Sequence, residues 1–437
     1  MLPAGNIKKN CLVVSPSRYL KGKINLPGDK SISHRALILS SIAKGTSYIE
    51  GFQRGKDCVA TLRCIKDLGI DVRWKGEKIV IEGRGLRGLR EPKDVLNCQN
   101  SGTTMRILSG VLAAQDFYSV LTGDSSLRRR PMGRIVLPLR RMGARIWARE
   151  GYFAPLSIKG GHLQGEIHNL TVASAQVKSS LLLAGLYAEG VTKVKEPYRS
   201  RDHTERMLTY MGAGVSVDDS GISIEGGQEL EARNFFVPRD ISAGAFFIAA
   251  ALILKGSRIK IERVGVNPTR CGFIRVLKKM GAGINIHNQK MISGEEVADL
   301  EIESEDILEG VRVGGNEVPQ LLDEIPVLAV VACFAKGKTL IEGAEELRVK
   351  ETDRIKAICS ELTRMGAKIE ERKDGMLIYG VGRLKGAEVN SWGDHRIAMA
   401  LAVAGLCAEG NTLIKNTRCI DVSFPGFKEI LDEVRVN

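Results

Sequence analysis

The chain has 437 residues, and its 64 Lys and Arg against 51 Asp and Glu give a formal net charge of +13 at pH 7. Hydrophobic residues make up 43% and charged residues 26%, a composition typical of folded globular chains that excludes intrinsic disorder. The longest apolar runs, residues 243–254 and 325–335, are shorter than the ~20 residues of a membrane-spanning helix. The positive surplus is compatible with nucleic acid, an acidic surface or small anionic ligands.

The nine cysteines are scattered, odd in number and without a Cys-x-x-Cys pair. This pattern favours a reducing compartment, in which thiols mostly fill core space. The sequence does not open with a secretory leader, so we expect a cytoplasmic protein. The histidines and cysteines lack metal-ligand spacing. We therefore predict no metal site, and we expect His34, His203 and His395 to be hydrogen-bonded structural residues.

A helix end followed by glycine and then by a strand-like alternation recurs along the chain. A glycine directly after a helix supplies the left-handed cap, and the next residues re-enter as a strand. With a degenerate sixth copy at residues 430–436, the pattern predicts six α/β units of ~70 residues. These units divide into three and three near Pro238. The five glycines are Gly69, Gly143, Gly212, Gly281 and Gly366.

Five polar, basic segments are predicted to open apolar helices. In the first, Lys30 lies at the helix entrance, and Ser31 and Arg35 share a helix face because they are four residues apart. Lys350 and Arg354 are predicted to share a face in the same way. Free N–H groups, the helix dipole and arginine forks make such openings anion sites. A capping role explains any one of them better, but five favour a ligand with several negative groups, held between the two halves. The segments are residues 26–39, 100–108, 174–183, 350–355 and 393–399.

Three further segments allow alternative interpretations. Residues 128–130 are consecutive arginines, either a solvated charge run or an anion site. Asp323 and Glu324 interrupt an apolar stretch, where a carboxylate is by default a helix cap and otherwise an acid or base. The basic glycine tract at residues 83–90 lacks interleaved aromatic residues, so a basic loop is expected rather than an RNA-binding element.

Together, these segments resemble the motifs of the 5-enolpyruvylshikimate-3-phosphate (EPSP) synthase family. The resemblance implies an α/β fold with two domains, each built from three βαβαββ units as an inside-out α/β barrel, and an active site in the interdomain cleft. It also implies a discontinuous domain of residues 1–27 plus 239–437 and an inserted domain of residues 28–238. The matching segments, in the family's order, are residues 27–35, 100–106, 121–131, 174–176, 348–354 and 394–396.

The resemblance implies transfer of the enolpyruvyl group of phosphoenolpyruvate to the 5-hydroxyl of shikimate 3-phosphate, with release of phosphate. This step belongs to chorismate and aromatic amino acid biosynthesis, and it passes through a tetrahedral intermediate as the domains close. No cofactor is expected, because protons and fixed positive charge suffice for the chemistry. The expected partners are the two small substrates, with neither nucleic acid nor membrane, and we expect a monomer.

The same resemblance assigns the site residues. Lys30 is expected to transfer a proton or stabilise charge, Asp323 to act as the base near the 5-hydroxyl, and Glu351 to exchange a proton with the methylene carbon. The shikimate 3-phosphate site is expected to comprise Lys30, Ser31, Arg35, Ser174, Gln176, Arg201, Asp323 and Lys350. The phosphoenolpyruvate site is expected to comprise Lys30, Asn100, Gly102, Arg130, Gln176, Arg354 and Arg396.

The sequence departs from the commonest family pattern at three positions, which resembles the family's second sequence class. Ile107 stands where many members have Pro, Ala175 replaces a second Ser, and Val422 stands where many have Lys. Two alternatives remain. A UDP-N-acetylglucosamine enolpyruvyl transferase would carry Cys five residues before its Arg-Pro pair, where this chain has Ser125. A basic nucleic-acid-binding protein would use the charge of +13 but leave Asp323 and Glu351 without a purpose.

Overall fold

A computed structural model describes residues 10–304 and 307–436. Their contacts divide the chain into two units. The inserted unit contains Gly28–Pro238 and the short segment Met291–Glu295. The terminal unit contains the described residues up to Pro27, Arg239–Lys290, and the described residues from Glu296 onward. Residues 1–9 of the predicted discontinuous domain lie outside the described residues.

The inserted unit, every residue of which is described, contains three four-stranded sheets of the same design. In each sheet one edge strand is parallel to its neighbour, and the other pairings are antiparallel. This recurrence is what a repeated βαβαββ unit produces. In spatial order the sheets are Phe235–Phe236, Lys44–Glu50, Lys78–Arg84 and Asp71–Lys75; Leu96–Asn97, Tyr118–Thr122, Phe153–Lys159 and Arg145–Arg149; and Ile167–Asn169, Val191–Lys195, Gly221–Glu225 and Val215–Asp218.

Two kinds of helix alternate in this unit. One kind is buried almost all round, which requires small and apolar residues on every face, and its members supply core residues such as Leu37, Leu108 and Leu182. The other kind keeps one polar face. The buried helices are Lys30–Ser41, Gly102–Leu112 and Ala175–Gly185. The others are Lys56–Asp67, Gly133–Arg141 and His203–Tyr210, with a 3-10 turn at Leu127–Arg129.

The described part of the terminal unit repeats the design with longer and shorter sheets. One sheet has Ile284–Ile292, Glu295–Glu303, Arg258–Gly265, Tyr19–Ile24 and Arg435–Val436 in spatial order. A second has Arg312–Val313, Lys338–Ile341, Gly375–Tyr379 and Lys368–Arg372. A third has Cys11–Val14, Thr412–Lys415 and Glu388–Asn390, and Leu384–Lys385 pairs with Ala408–Glu409.

The helices of the terminal unit divide in the same way. Three are buried almost all round: Ile241–Ile253, Ile325–Phe334 and His395–Leu406. The longer helices with a polar face are Gly272–Lys279, Arg354–Arg364 and Phe427–Val434. Shorter turns are Gly315–Glu317, Val318–Leu321, Glu345–Val349, Thr417–Cys419 and Ile420–Ser423. Within residues 10–304 and 307–436, no helix has the length and apolarity needed to cross a membrane.

The repeated glycine signal is confirmed. All five glycines have φ between +84° and +102°, and each follows a helix and precedes a strand. Only the left-handed region reverses the chain this tightly, and glycine enters it without a steric penalty. The degenerate sixth copy also leads from the helix Phe427–Val434 into the strand Arg435–Val436, here without a glycine.

The prediction that a helix begins at Lys350 is wrong. The helix begins at Arg354, because Asp353 supplies the cap: its Oδ1 accepts a hydrogen bond from the Lys356 N–H at 3.0 Å. Lys350 instead ends the turn Glu345–Val349, with ψ at −149°. Lys350 and Arg354 therefore do not share a helix face.

Candidate functional site

The first predicted opening places a cation at the positive end of a buried helix. Lys30 is its first residue, and Asp29 caps it by accepting a hydrogen bond from the Ile32 N–H at 2.9 Å. Any side chain at Gly28 would collide with a backbone carbonyl. The Lys30 ammonium forms an ion pair with Asp57, and its side chain remains 22% exposed. The ammonium is therefore held in place and still reachable by a ligand.

Arg35 is buried one turn further along the same helix. Its guanidinium donates to the Thr204 hydroxyl at 2.7 Å, the Ser31 carbonyl at 2.9 Å and the Ser179 hydroxyl at 2.8 Å. Burial lowers the pKa of Arg35 to about 10, with Glu205 acting in the opposite direction. Because all three acceptors are neutral, an anion would complete the charge balance of this group.

The second opening forms one cluster with Arg130. The Arg130 guanidinium donates to the Asn100 side-chain oxygen at 2.7 Å, and the Asn100 amide donates to Asp124 at 2.8 Å. Arg128 and Arg129 are exposed. The charge-run interpretation therefore fits these two arginines, whereas Arg130 is partly buried and fixed beside the helix that starts at Gly102.

The third opening is tied to the second by Gln176. Its amide donates to the Thr103 hydroxyl at 2.8 Å, and its carbonyl accepts from Arg106 at 2.6 Å. Ser174 caps the helix Ala175–Gly185 through the Val177 N–H. In this unit the structure thus joins Gln176 to the helix opening that carries Gly102.

A buried guanidinium organises the cluster in the terminal unit. Arg354 donates to Asp394 at 2.7 Å, to Glu351 at 2.7 Å and to Asp323 at 3.2 Å. Burial opposes the charge of Arg354, but the three carboxylates raise its pKa above the usual value, so it remains a cation. The two predicted acid or base residues, Asp323 and Glu351, therefore converge on one fixed positive charge.

Arg396 and Lys350 complete this cluster. Arg396 lies at the start of the helix His395–Leu406, with Nη2 3.8 Å from an Asp323 oxygen and Nη1 3.8 Å from Glu324. Burial lowers the pKa of Lys350, and Asp323 partly opposes this shift. The default interpretation of Glu324 as a side-chain cap is wrong, since the helix that follows it has no side-chain cap bond.

Sequence reasoning assigned no role to several partners of these residues. Asp57 holds Lys30, Arg106 holds Gln176, and Asp394 holds Arg354. Asp394 had a local signal, since an Asp just before a helix is a preferred cap, and it does accept from the Arg396 N–H at 2.7 Å. Nothing in the local sequence identifies Asp57 as a partner.

The histidine, cysteine and carboxylate side chains bear on whether the chain could hold a metal ion. Within residues 10–304 and 307–436, no group of three or more His, Cys, Asp or Glu is placed to hold a metal ion. The nine cysteines are free, and six of them are buried. His203 is hydrogen-bonded, with Nδ1 2.7 Å from Glu295 in the inserted unit, as expected for a structural histidine.

Buried His34 should make stability depend on pH. Its Nδ1 lies 2.6 Å from the Thr61 hydroxyl, and burial lowers its pKa well below the usual value. Because the pKa is lowered in the folded state, the neutral His34 contributes fully to stability above the unfolded pKa of about 6.5, and this contribution is lost as the pH falls below that value. Between pH 7.5 and 5.5 we expect the free energy of unfolding to fall by about 1 kcal/mol less in His34→Gln than in the parent chain.

Urea unfolding at the two pH values measures this difference. The control is His287→Gln, because the His287 side chain is exposed. An equal pH dependence in His34→Gln and the parent chain would contradict the buried, neutral state of His34.

Solved structures that share this fold identify the class of protein. Two solved structures of EPSP synthase from Acinetobacter baumannii align with TM-scores of 0.89 and 0.88, at 43% and 42% identity. Each alignment covers 98% of this chain and 99% of the other. The predicted α/β fold class with two domains is confirmed.

Sequence comparison gives the family. A family model for EPSP synthase (3-phosphoshikimate 1-carboxyvinyltransferase) matches residues 14–431. Curated proteins named 3-phosphoshikimate 1-carboxyvinyltransferase are 53% identical in Geobacter sulfurreducens and 50% identical in Brevibacillus brevis. These alignments cover 96% and 97% of this chain and 98% and 99% of the relatives. The chain belongs to the EPSP synthase family, which confirms the resemblance, and neither alternative is favoured.

Proposed function

We propose that the chain transfers the enolpyruvyl group of phosphoenolpyruvate to the 5-hydroxyl of shikimate 3-phosphate, releasing phosphate. The observation that carries this proposal is the convergence of Asp323 and Glu351 on buried Arg354, beside Arg396. Such a cluster supplies carboxylates for proton transfer and fixed cations for the charge of the substrate. We assign this Arg354 cluster to a domain of residues 1–27 plus 239–437, and we assign residues 28–238 to the inserted domain.

The proposed shikimate 3-phosphate site contains the buried cation Arg35. Its three hydrogen bonds within the described residues go to neutral acceptors, so a phosphate group bound nearby would be stabilised. Helix openings at Lys30 and Ser174 add backbone N–H groups. The full proposed set is Lys30, Ser31, Arg35, Ser174, Gln176, Arg201, Asp323 and Lys350.

The proposed phosphoenolpyruvate site is built from arginines that are already fixed. Arg130 is held by Asn100, and Arg354 by its three carboxylates, so neither pays the full entropic cost of ordering when a ligand arrives. The helix opening at Gly102 supplies free N–H groups. The full proposed set is Lys30, Asn100, Gly102, Arg130, Gln176, Arg354 and Arg396.

The chemistry requires two balanced proton movements. Asp323 accepts the proton of the 5-hydroxyl while the hydroxyl oxygen bonds to C2 of phosphoenolpyruvate. Lys30 or Glu351 delivers a proton to C3. The resulting tetrahedral intermediate then loses a proton from C3 and expels phosphate, which restores the double bond. Fixed cations stabilise the charge on the phosphate throughout.

The proposal extends to the setting of the enzyme. We propose a cytoplasmic monomer whose partners are the two small substrates, with no nucleic acid, membrane, metal or cofactor taking part. The buried free thiols suit a reducing compartment.

Phosphate release in the presence of a metal chelator tests the function. We expect release only when phosphoenolpyruvate and shikimate 3-phosphate are both present. Release from phosphoenolpyruvate alone would indicate a phosphatase, and no release with both substrates would overturn the proposal. A titration with duplex DNA at low and high salt tests the alternative of a basic nucleic-acid-binding protein. Such a protein would bind the DNA tightly at low salt and weakly at high salt.

Gly102→Ala is expected to weaken phosphoenolpyruvate selectively. An added Cβ would lie 2.9 Å from Arg106 Nη1 and 3.6 Å from Arg130 Nη1. Arg106 must then shift, which disturbs its bond to Gln176. Since Gln176 and the neighbouring Arg130 are proposed ligands of phosphoenolpyruvate, we expect the KM for phosphoenolpyruvate to rise at least ~10-fold, equivalent to ~1.4 kcal/mol.

Steady-state kinetics at saturating shikimate 3-phosphate measure this effect. Gly161→Ala is the matched control, because its added Cβ would meet only Arg145 Nη2, at 3.6 Å. A KM for phosphoenolpyruvate in Gly102→Ala equal to that of the control would contradict the assignment of Gly102.

A further inference from the structure

An ion cluster without a role in the reaction lies beneath the Ser174 helix opening. Lys178, on the helix Ala175–Gly185, has a side chain with 0% exposure. Its ammonium lies 2.7 Å from a Glu205 oxygen and 2.9 Å from a Glu196 oxygen, and it donates to the Ser200 carbonyl at 3.3 Å. Both glutamate side chains are nearly as buried as the lysine.

Such a cluster is a costly way to stabilise a fold. Removing an ammonium or carboxylate from water costs several kcal/mol per ion, and apolar residues of similar volume often give equal or greater stability. Burial alone would lower the pKa of Lys178, but Glu205 and Glu196 raise it above the usual value, so the lysine remains charged. The question is therefore what the fixed charge holds in place.

Glu196 holds two backbone segments of the proposed substrate site. One of its oxygens accepts from the Ser174 N–H at 3.2 Å, and the other accepts from the Ser200 N–H at 3.3 Å. Ser174 is a proposed ligand of shikimate 3-phosphate, and Ser200 directly precedes another, Arg201. Lys178 bonds to the same Glu196 oxygen that holds Ser200.

Glu205 connects the cluster to the Arg35 acceptors. It lies in the first turn of the helix His203–Tyr210, next to Thr204. The Thr204 hydroxyl accepts from Arg35 at 2.7 Å and lies 2.6 Å from the Ser179 hydroxyl, the second side-chain acceptor of Arg35. A single ammonium therefore fixes both the Ser174 and Ser200 segments and the helix that orients Arg35.

We propose that Lys178 is a positioning residue for shikimate 3-phosphate, acting through Glu196 and Glu205. It sets the backbone at Ser174 and Ser200 and the acceptors of Arg35 before the substrate binds. This inference rests on the proposed function. A site held in its binding geometry avoids the cost of ordering on binding, so loosening it lowers affinity without touching the reacting atoms.

Glu196→Gln is the most conservative test. The side chain keeps its shape, but its amide nitrogen must face either the Ser174 N–H or Lys178 and the Ser200 N–H, so one set of bonds is lost in either orientation. We expect the Kd for shikimate 3-phosphate, measured by calorimetry on the full chain, to rise at least ~10-fold. The KM for phosphoenolpyruvate at saturating shikimate 3-phosphate should stay within about threefold, because bound shikimate 3-phosphate has then already ordered the loosened segments.

Lys178→Met should give the same selective loss, and Lys193→Met is its matched control. Lys193 is a lysine of the same unit whose partner Asp218 is exposed. The double variant Lys178→Met/Glu205→Gln separates positioning from stability, because it removes one of the two buried carboxylates that Lys178→Met leaves uncompensated. We expect the double variant to recover part of the lost thermal stability but not the affinity for shikimate 3-phosphate.

The outcomes distinguish this inference from the proposed function. If the parent chain releases phosphate from the two substrates while Glu196→Gln binds shikimate 3-phosphate normally, the inference is wrong and the function stands. Affinity that returns together with stability in the double variant would also overturn it, because Lys178 would then act only on folding. No turnover by the parent chain would refute the function itself.

Discussion

Lys30→Met is expected to lower kcat/KM for phosphate release by at least ~100-fold, the scale for losing a proton-transfer or charge-stabilising group. Methionine keeps the length of the side chain but removes the charge that Asp57 holds at the helix entrance. Because Lys30 belongs to both proposed substrate sites, the loss should affect kcat as well as the KM values. Phosphate-release kinetics with each substrate varied in turn measure it.

Lys56→Met is the matched control for this prediction. Lys56 also is the first residue of a helix in the inserted unit, but it is exposed and outside the proposed site. We expect the control to keep the kinetics of the parent chain. A Lys30→Met protein that is folded and turns over at a near-normal rate would contradict the role of Lys30.

Arg354→Met is expected to destabilise the fold as well as remove a ligand of phosphoenolpyruvate. The guanidinium is 2% exposed and Asp394 is 0% exposed, so the substitution leaves a buried carboxylate without its cation. Breaking a buried ion pair from one side costs about 3–5 kcal/mol. Urea unfolding should show this loss, and the KM for phosphoenolpyruvate should rise in the protein that remains folded.

Two further variants separate the structural and the ligand role of Arg354. Arg354→Met/Asp394→Asn removes the orphaned charge while Asn keeps an oxygen for the Arg396 N–H, so stability should recover but phosphoenolpyruvate affinity should not. Arg364→Met is the control, because Arg364 lies on the same helix and its side chain is largely exposed. This substitution should change neither stability nor phosphoenolpyruvate affinity. A urea midpoint of unfolding in Arg354→Met equal to that of the parent chain would contradict this account.

The architecture was largely predictable because its signals are local. Gly143 or Gly281 marks a left-handed cap whatever surrounds it, so the alternation of helix and strand could be predicted from short stretches of sequence. The start of the helix at Arg354 could not be predicted, since Lys350 and Asp353 both suit a helix opening and only the hydrogen bond from the Lys356 N–H to Asp353 decides between them.

The site was predictable only in part, because its charged residues are local signals and their partners are not. Arg354 and Asp394 are forty residues apart in sequence, and Lys178 and Glu205 twenty-seven. No periodicity connects such pairs, and burial of a lysine such as Lys178 runs against the composition rule for charged residues. Tertiary structure alone reveals that these charges compensate each other.

The surplus of thirteen positive charges is now easier to interpret. Its placement matters more than its size, since the proposed site uses seven cations for two polyanionic substrates. Arg354 and Arg35 are buried, where a smooth nucleic-acid surface could not reach them. The seven are Lys30, Arg35, Arg130, Arg201, Lys350, Arg354 and Arg396.

The central claim is enolpyruvyl transfer through protonation of C3, and NMR of the reaction in D2O tests it most directly. The account predicts a carboxyvinyl ether of shikimate 3-phosphate that carries solvent deuterium in part of its vinyl methylene positions, with one phosphate released per ether formed. Phosphate released without the ether, or an ether with no solvent deuterium, would contradict it.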